Sequence, residues 1–503
     1  MALLDFFRSR KPERKTQKSR SRNFHGAWNG AEVNNLTSSW TRTSVPINEQ
    51  IYRDLETLRA RSRDLAKNDV HVKKFIRLIK SNVVGRAGVV LQSKVKDANG
   101  SVDEAAVEAI ESAWKEFCEW GVANVKGQGT FVEMQNLFWD HILRDGEVLV
   151  LKIESPKYNR FGYSLQFLDP EVLNIKNNQE LKNGHKVRMG VELDDAGRAV
   201  AYHLTSKDTT HNTFYEFHGQ GYIRIPASKV IHRYLSEYAD QVRGIPEIAV
   251  VMNRIKNLGG YEEAEVIGKR VSASKMGFFS RNQEGEGYEG EEDEEGVSMD
   301  ASPGTLEEIP YGVDFHQFNP THDGGTYETF VKTALKSVAS GLGVSYHTLA
   351  SDLEGVNYSS GRLGALEDRD FYMALQDWFI ACFIKPIFKE WVYNAVMRRA
   401  ITLSNGGTLR PTDITRYQQA NFQGRRWLWV DPAKDMAANE KAITLNLTSR
   451  AAIIREQGRD PEDVFKEIAE EQKRFKELEI NQPAEAGFLM PEETEQQTND
   501  EQD

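Results

Sequence analysis

The chain has 503 residues, of which 39% are hydrophobic and 28% charged, so it is long enough for several domains and has the composition of a folded protein with a hydrated surface. No run of about eighteen apolar residues occurs and the N-terminus lacks the order of a secretory signal, which excludes a membrane span and a membrane partner. The formal net charge of −11 is spread unevenly.

Three stretches of biased composition are predicted to be flexible. Residues 1–24 form a basic arm, which fits a contact with nucleic acid, a contact with an acidic protein or a solvated tail. Residues 283–299 are rich in glycine and acids, and residues 481–503 are acidic and rich in glutamine. Like-charge repulsion and the scarcity of apolar residues leave such segments without the burial that would offset the entropy of ordering.

The first part of the chain is predicted to be helical. Periodicity runs through residues 48–84, and two further helices are expected at 102–120 and from 131 to about 143. The first pattern places a row of cations on its solvent side, which fits either a DNA-binding face or an ordinary hydrated one, since no helix-turn-helix or zinc-finger signature accompanies it. These cations are Arg59, Arg61, Arg63, Lys67, Lys73, Lys74, Arg77 and Lys80.

After Gly146 the pattern changes to short runs rich in β-branched and aromatic residues. The turn sequence Asp194-Asp-Ala-Gly between two of these runs is typical of a hairpin. We therefore expect a mostly antiparallel sheet to follow the helices. Its strands are predicted at 147–153, 164–168, 187–193, 199–204 and 229–234.

The middle of the chain predicts two helices around a small β-element. One helix begins with Gly244-Ile-Pro-Glu and reaches about Lys275, and the other covers 326–339. Strand-like runs at 276–280 and 312–318 lie between them, on either side of the acidic stretch 283–299. We expect these two runs to pair with each other.

A long aromatic helix is predicted to begin near Arg362 and to kink at Pro386. It follows a polar segment at 345–361, in which Gly355 and Gly361 would act as hinges. Beyond the long helix we expect a strand at 425–430, then helices from 431 to about 446, from 448 and from 461.

No catalytic, cofactor or metal site is predicted. Gly85-Arg-Ala-Gly lacks the Lys-Ser or Lys-Thr of a phosphate-binding loop. Cys118 and Cys382 lie on apolar helical faces, which indicates buried thiols in a reducing cytoplasm. Two groups of potential ligands lack a third well-spaced member. They are His211 with His218, and His316 with His322 and Asp323.

Several motifs resemble the portal proteins of lambda-type tailed bacteriophages, in the order that this family uses. Leu342-Gly-Val-Ser-Tyr-His-Thr-Leu and Asn357-Tyr-Ser-Ser-Gly-Arg, followed by the long helix, resemble the family's tunnel loop and the helix after it. The ordered recurrence covers most of residues 50–480. The further motifs are Arg61-Ser-Arg-Asp-Leu-Ala-Lys-Asn-Asp, Ala113-Trp-Lys-Glu-Phe, Arg243-Gly-Ile-Pro and Val430-Asp-Pro-Ala-Lys.

The resemblance implies an α+β portal fold that assembles as a ring. A wing of helices and mostly antiparallel sheet, stem helices, a small β clip, a long kinked helix and a helical crown are expected. The implied divisions are the arm at 1–24, wing at 25–243, stem helix at 244–275, clip at 276–320 with the disordered insertion 283–299, second stem helix at 321–344, tunnel loop at 345–361, long helix and second part of the wing at 362–440, crown at 441–480 and tail at 481–503.

The implied function is a channel at one capsid vertex, not an enzyme, for DNA packaging and exit and for head-tail joining. Implied partners are further copies of the chain, commonly twelve, double-stranded DNA, the terminase large subunit, the major capsid or scaffold protein and a head-tail adaptor; assembly would take place in the host bacterial cytoplasm and the ring would reside in the virion. A head-tail adaptor and a metal-dependent nuclease stay open as alternatives. The implied channel residues are Ser351, Asp352, Glu354, Asn357, Tyr358, Ser359 and Ser360 in the tunnel loop, and Lys332 and Lys336 in the stem.

Overall fold

The computed structural model describes residues 43–97, 99–205, 221–273, 277–281, 313–317, 326–427, 432–457 and 461–478, together with positions 35, 38, 39, 41 and 459. The basic arm at 1–24, the acidic stretch 283–299 and the tail at 481–503 lie outside the described residues. So do His211, His218, His322 and Asp323.

Four helices open the described chain: α1 Ile47–Asn68, α2 Val70–Ile79, α3 Glu104–Phe117 and α4 Phe131–Asp145. The helical pattern predicted over 48–84 is divided at Asp69, whose backbone is extended and whose carboxylate accepts hydrogen bonds from the His71 and Val72 amides, capping α2. A π-helical turn, Lys80–Val84, extends α2. The prediction that Arg59 lies on the solvent side is wrong, because Arg59 is only 2% exposed.

The strands form antiparallel sheets, as expected. A three-stranded sheet has the order β3-β2-β9 and a five-stranded sheet the order β4-β5-β6-β7-β8. Strand β1 pairs with β12, and β10 pairs with β11, as predicted for the runs on either side of the acidic stretch. The strands are β1 Val90–Ser93, β2 Glu147–Ile153, β3 Ser164–Leu168, β4 Gln179–Glu180, β5 Lys186–Arg188, β6 Val191–Leu193, β7 Ala199–Thr205, β8 Tyr222–Pro226, β9 Val230–Tyr234, β10 Gly277–Arg281, β11 Val313–Gln317 and β12 Ala420–Gln423.

Two glycines allow a close backbone crossing at the start of β2. Gly146 ends α4 with φ of +84°, and Gly244 passes directly over it. A Cβ on Gly244 would lie 2.0 Å from the Gly146 carbonyl oxygen. Only glycine fits at this crossing, which brings the segment after Arg243 against β2.

The remaining helices follow in sequence. A 3₁₀ turn, Glu247–Val251, leads into α5 Met252–Ala273, which matches the helix predicted after Gly244. The others are α6 Thr326–Gly341, α7 Tyr346–Ala350, α8 Tyr358–Phe379, α9 Lys385–Met397, α10 Ile414–Tyr417, α11 Pro432–Thr444, α12 Arg450–Glu456 and α13 Pro461–Glu477.

Pro386 is accommodated by a π-helical turn, Ile380–Ile384, between α8 and α9. Proline has no amide hydrogen, so the carbonyl four residues earlier, at Cys382, loses its helical donor. Arg233 of β9 supplies the replacement, because its Nε donates to the Cys382 oxygen at 3.0 Å. The perturbation expected at this proline thus takes the form of a widened turn, a known cause of helix distortion.

The strand predicted at 425–430 is wrong for its described part. Residues 425–427 are not a strand, 428–430 lie outside the described residues, and β12 ends at Gln423. Side chains take the place of a strand partner here. Gln376 Nε2 donates to the Arg425 carbonyl at 3.0 Å, and the Trp427 indole donates to Asn82 Oδ1 at 3.0 Å.

The core is built around the helix α8–α9. Phe379, Phe383 and Trp391 are fully buried, and the first two pack against Phe138 of α4 with ring centroids 4.8 and 4.7 Å apart. Within the described residues one helical stretch, Ser360–Met397, is long and apolar enough to cross a membrane by length and composition alone. Its packing is that of a central core helix.

Candidate functional site

The segment predicted as a loop at 345–361 contains both helical and irregular backbone. Helix α7, Tyr346–Ala350, lies inside it, and α8 already begins at Tyr358 instead of near Arg362. The irregular part is therefore 351–357, which we call the polar loop. Ser351 and Gly355 have left-handed backbones, with φ of +56° and +71°. Gly361 lies within α8, so the prediction of a second hinge there is wrong.

Asp368 of α8 anchors the start of α7, the helix that leads into the polar loop. This carboxylate is 7% exposed. It accepts hydrogen bonds from the Ser345 amide at 2.9 Å, from the Ser345 hydroxyl at 2.8 Å and from the Thr348 hydroxyl at 2.8 Å. Because a buried carboxylate must be satisfied by donors, these bonds hold the start of α7 against the middle of α8.

Asp352 organises the polar loop from within. Its carboxylate accepts from the Tyr346 hydroxyl at 2.8 Å and from the Glu354 amide at 2.9 Å. The amide bond, followed by the hydroxyl bond, keeps the pKa of Asp352 below its ordinary value. The charged Asp352 carboxylate therefore stabilises the conformation of the loop.

The structure brings the two predicted stem lysines next to this loop. Lys332 of α6 forms ion pairs with Glu354 at 2.7 Å and with Glu328 at 2.6 Å, and the hydrogen bonds that it donates to Glu328 and Glu354 raise its pKa. Lys336 lies 5.7 Å from the centre of the Tyr346 ring. The charge of Lys332 is thus balanced by neighbouring carboxylates.

The other predicted loop residues divide between cap and helix. Asn357 caps α8 by accepting the Ser360 amide at 2.8 Å. Tyr358, Ser359 and Ser360 form the first turn of the helix. Ser351 accepts from Lys74 Nζ at 3.0 Å. Between these anchored residues, Leu353 is 74% exposed at the tip of the polar loop.

Sequence reasoning missed a buried charge network centred on Glu147, the first residue of β2. Its side chain is inaccessible to solvent. It accepts from Arg59 at 2.9 Å, from Arg243 Nε at 2.9 Å, from His232 Nε2 at 3.0 Å and from the Gly244 amide at 3.1 Å. Both carboxylate oxygens are saturated, so this group joins α1, β2, β9 and the segment after β9 and has no free position for a substrate.

The electrostatics of this network keep the acid ionised. Burial alone would raise the pKa of Glu147, but the charge of Arg243 and the hydrogen bonds from His232 and Arg243 outweigh it, so the pKa lies well below its ordinary value. Burial lowers the pKa of His232, which therefore stays neutral at pH 7 and donates from Nε2.

A second layer of charge continues from this network through Asp145, at the end of α4. Asp145 is fully buried and pairs with Arg63 at 2.6 Å, with His141 at 2.8 Å and with Arg144 at 2.7 Å. Arg63 also reaches Asp169 at 2.7 Å. Arg59, two residues before the motif that begins at Arg61, and Arg63, within that motif, therefore both bind buried carboxylates. No periodic pattern in the sequence marks these pairings, because Arg63 and Asp145 are 82 positions apart.

The described part of the chain offers no evident chemistry. Among its residues no group of three or more His, Cys, Asp or Glu side chains is placed to hold a metal ion. Burial raises the pKa of Cys118 and of Cys382 to about 12, so neither thiol is activated as a nucleophile.

Comparison with known proteins agrees with the motifs. Residues 34–376 match the family described as phage portal protein, lambda family. A probable portal protein of Halomonas phage phiHAP-1 is 33% identical over 460 residues, covering 90% of this chain and 87% of its own. Portal protein B of Escherichia phage lambda is 21% identical, covering 95% of this chain and 94% of its own.

Among solved structures, a chain from the neck of a native GTA particle computed with C12 symmetry is 12% identical, covers 81% of this chain and 94% of its own, and has a TM-score of 0.41. A score at that level carries no argument about the fold. The assignment follows from the match to the family and from the Halomonas phage relative. On those two grounds, the chain belongs to the lambda family of phage portal proteins.

Proposed function

We propose that this capsid portal protein assembles as a closed ring, commonly of twelve copies, at one vertex of the phage capsid. The ring is the channel through which terminase packs double-stranded DNA and through which the DNA leaves, and it is the platform for capsid or scaffold protein and for the head-tail adaptor. Assembly takes place in the bacterial cytoplasm. Membership of the family over residues 34–376 is the observation that carries this proposal.

The polar loop 351–357 is the part of the subunit that we assign to the DNA. Its exposed residues are polar except Leu353 at the tip and Gly355. The stem cation beside it, Lys332, is already paired with Glu354 and Glu328. A channel must not hold phosphate strongly, because each neutralised phosphate adds salt-dependent affinity. A loop with few unbalanced cations meets that requirement.

Exposed apolar side chains on α5, α6 and α8 support assembly from several copies. Val266 and Ile267 are 47% and 50% exposed, Phe330 is 49% exposed and Leu363 is 68% exposed. Exposed apolar residues on three helices give a neighbouring copy apolar surface to cover. A heterologous contact of this kind closes into a ring when the rotation between copies closes.

The division into wing, stem, clip and crown extends the proposal along the chain. Helices α5 and α6 flank the antiparallel pair β10–β11, which is the order of stem, clip and stem. The sheets built on β2 and β7 belong to the wing, and α12 and α13 to the crown. The clip is the part that we assign to terminase and adaptor binding.

Electron microscopy of the purified protein tests the proposal. We expect closed rings with a central hole wide enough for duplex DNA. The variant Leu363→Asp places a charge on the exposed apolar surface and should shift the protein toward monomers, whereas Leu447→Asp, at a position 77% exposed in the crown region, should not. A monodisperse monomer at physiological salt for the unmodified protein would contradict the proposal.

The same preparation separates the two alternatives. An adaptor would bind to the rim of a portal ring from another source instead of forming its own channel-bearing ring. A nuclease would cut duplex DNA when Mg²⁺ is added. We expect intact DNA after incubation with Mg²⁺. Among the described residues no three His, Cys, Asp or Glu side chains are placed together to hold the metal ion that such a nuclease needs.

A further inference from the structure

We infer that a basic groove along α2, remote in sequence from the polar loop, binds the phosphodiester backbone of duplex DNA. The groove consists of two adjoining cavities of about 930 and 340 Å³, both of which are lined by Arg77 and Lys80. Nine cationic side chains line it, against the two carboxylates Asp140 and Asp169. The cations are Arg63, Lys67, Lys73, Arg77, Lys80, Arg86, Arg144, Arg425 and Arg426.

The groove is positive although the chain is not. The formal net charge of the chain is −11, so the cluster does not follow from an excess of basic residues. Its shape comes from helix periodicity. Lys73, Arg77 and Lys80 lie on one face of α2 and its π-helical extension, and Asn136, Asp140 and Arg144 recur every fourth residue on α4.

Part of this charge is used by the fold and part is free. Arg63 and Arg144 pair with Asp145, Lys80 pairs with Asp140 at 2.9 Å, and Arg425 donates to the Ser81 carbonyl. The other five cations form no ion pair or side-chain hydrogen bond with any residue in the described ranges. These five are Lys67, Lys73, Arg77, Arg86 and Arg426. They are the groups available to an anionic ligand.

The loop Gly85–Gly88 closes one end of the groove and presents Arg86. Both glycines have left-handed backbones, with φ of +72° and +71°. A Cβ on Gly88 would lie 2.9 Å from Val132 Cγ2, so only glycine lets this loop lie against α4. Arg86, between the two glycines, is exposed on the wall of the groove. The loop lacks the Lys-Ser or Lys-Thr of a nucleotide-binding loop and has no role in the proposed channel.

The dimensions and the chemistry favour a nucleic-acid backbone over a protein. From Lys73 to Lys80 the helix rises about 10 Å, which corresponds to about three phosphates along one DNA strand. The centres of protein interfaces are enriched in aromatic residues and arginine and depleted of lysine. The groove differs from such a centre in its three lysines and in having no aromatic side chain among its described lining residues, while its six arginines suit either partner. Arginine suits phosphate because its guanidinium can donate two parallel hydrogen bonds.

The choice of DNA as the polyanion rests on the proposed function, but the groove and the channel are separate claims. The test uses the full-length protein, a short fluorescently labelled duplex and fluorescence anisotropy across about 50 to 200 mM salt. The test variant replaces Arg77, Arg86 and Arg426 by alanine. The matched control replaces Lys182, Lys186 and Arg198, three exposed cations around the five-stranded sheet, by alanine.

We expect the test variant to lower the slope of log K against log salt by about 3 and to weaken binding at least tenfold at the lowest salt, while the control retains the slope of the unmodified protein. Equal slopes for all three proteins would overturn the inference. Loss of ring formation in the test variant alone would also overturn it, because the groove would then be a contact between subunits. In a parallel titration with polyglutamate, a larger loss of polyglutamate binding than of DNA binding would overturn it too and would indicate an acidic protein partner.

The failure of the groove can be told apart from the failure of the channel. If the unmodified protein forms no rings but the test variant still loses DNA binding relative to the control, the proposed function fails and the groove stands. If rings form and the slopes do not differ, the groove fails and the channel stands.

Discussion

Two charged regions of this subunit differ in what surrounds them. Around Glu147, an acid without solvent access meets Arg59, Arg243 and His232, and every polar atom of its carboxylate has a fixed donor. In the polar loop 351–357, Glu354 is exposed and has one ion pair, to Lys332. The comparison teaches that burial, more than charge itself, decides whether a charged side chain holds the fold or remains available to a partner.

The difference has an energetic consequence. Removing one member of a buried ion pair leaves an uncompensated charge and costs about 3–5 kcal/mol, whereas an exposed pair contributes about 0–1 kcal/mol. Substitutions in the two regions should therefore separate clearly. Those around Glu147 should act on stability, and those in the polar loop should act on DNA while leaving stability nearly unchanged.

The largest effect is expected from Glu147→Gln. Glutamine has nearly the same shape but cannot neutralise Arg59 and Arg243, so we expect the free energy of unfolding to fall by about 3–5 kcal/mol. Urea unfolding followed by fluorescence of the buried tryptophans measures this. Glu354→Gln is the matched control at an exposed carboxylate. Equal stability of the two variants would show that the buried network is not what holds these elements together.

The second expectation is a loss of stability in acid, from the same network. The folded pKa of His232 lies below its ordinary value of 6.5, and that of Glu147 lies well below 4.5. As the pH falls, each group therefore binds its proton in the unfolded chain at a higher pH than in the folded chain. The contribution of this network to the free energy of unfolding is fully present above about pH 6.5. It falls as the pH drops, first because His232 is protonated and then, below about pH 4.5, because Glu147 is protonated.

Unfolding free energies measured from pH 7 to pH 4 check this dependence. In His232→Gln the part of the slope that begins near pH 6.5 should vanish, because glutamine donates to Glu147 without titrating. A wild-type slope in that variant would assign the titration to another group.

Much of this fold follows from periodicity. The buried positions Phe379, Phe383 and Trp391 of the long helix and the antiparallel pairs, including β10 with β11, were predictable because apolar spacing reports which face is buried. The burial of Arg59 was not, since the chemistry of an arginine suits a solvent face and its partner Glu147 is 88 positions away. Long-range pairing of this kind leaves no periodic signal.

The candidate site was predictable only in outline. A polar break before a long amphipathic helix was evident, but the early start of α8 depends on Asn357 as its cap. The strand predicted at 425–430 is absent from its described part, 425–427, where Gln376, distant in sequence, donates to the Arg425 carbonyl. In both cases a hydrogen bond from or to a side chain influences where an element begins or ends. The spacing of apolar residues carries no information about such bonds.

A smaller effect is expected from Asp368→Asn, in α8 against the start of the segment that leads into the polar loop. The variant keeps the shape of the side chain but removes the negative charge of the carboxylate, which accepts three hydrogen bonds from Ser345 and Thr348. We expect a loss of about 1–3 kcal/mol, confined to α7 and the polar loop. Hydrogen exchange should speed up for the amides of 345–350 and remain unchanged in β2. Uniform acceleration throughout the subunit would contradict a local anchor.

The smallest effect on stability is expected from Lys332→Met, which removes the stem cation beside the polar loop. Its two ion pairs, with Glu328 and Glu354, are on the surface and screened by solvent, so the midpoint of thermal unfolding should remain close to that of the unmodified protein. Ring formation should persist. A loss as large as that of Glu147→Gln would mean that the polar loop is part of the core structure.

The central claim is that the polar loop faces the DNA, and Leu353→Lys tests it most directly. Leu353 is 74% exposed, so the variant adds a cation in each subunit without breaking the Asp352 or Glu354 contacts. Leu447→Lys, at a position 77% exposed elsewhere, is the control. Single-particle packaging rates are measured across a salt series. We predict that Leu353→Lys slows translocation most at low salt, where phosphate contacts are least screened, and that the control packages at the normal rate. Normal rates for Leu353→Lys at every salt concentration would contradict the claim and place the loop away from the DNA.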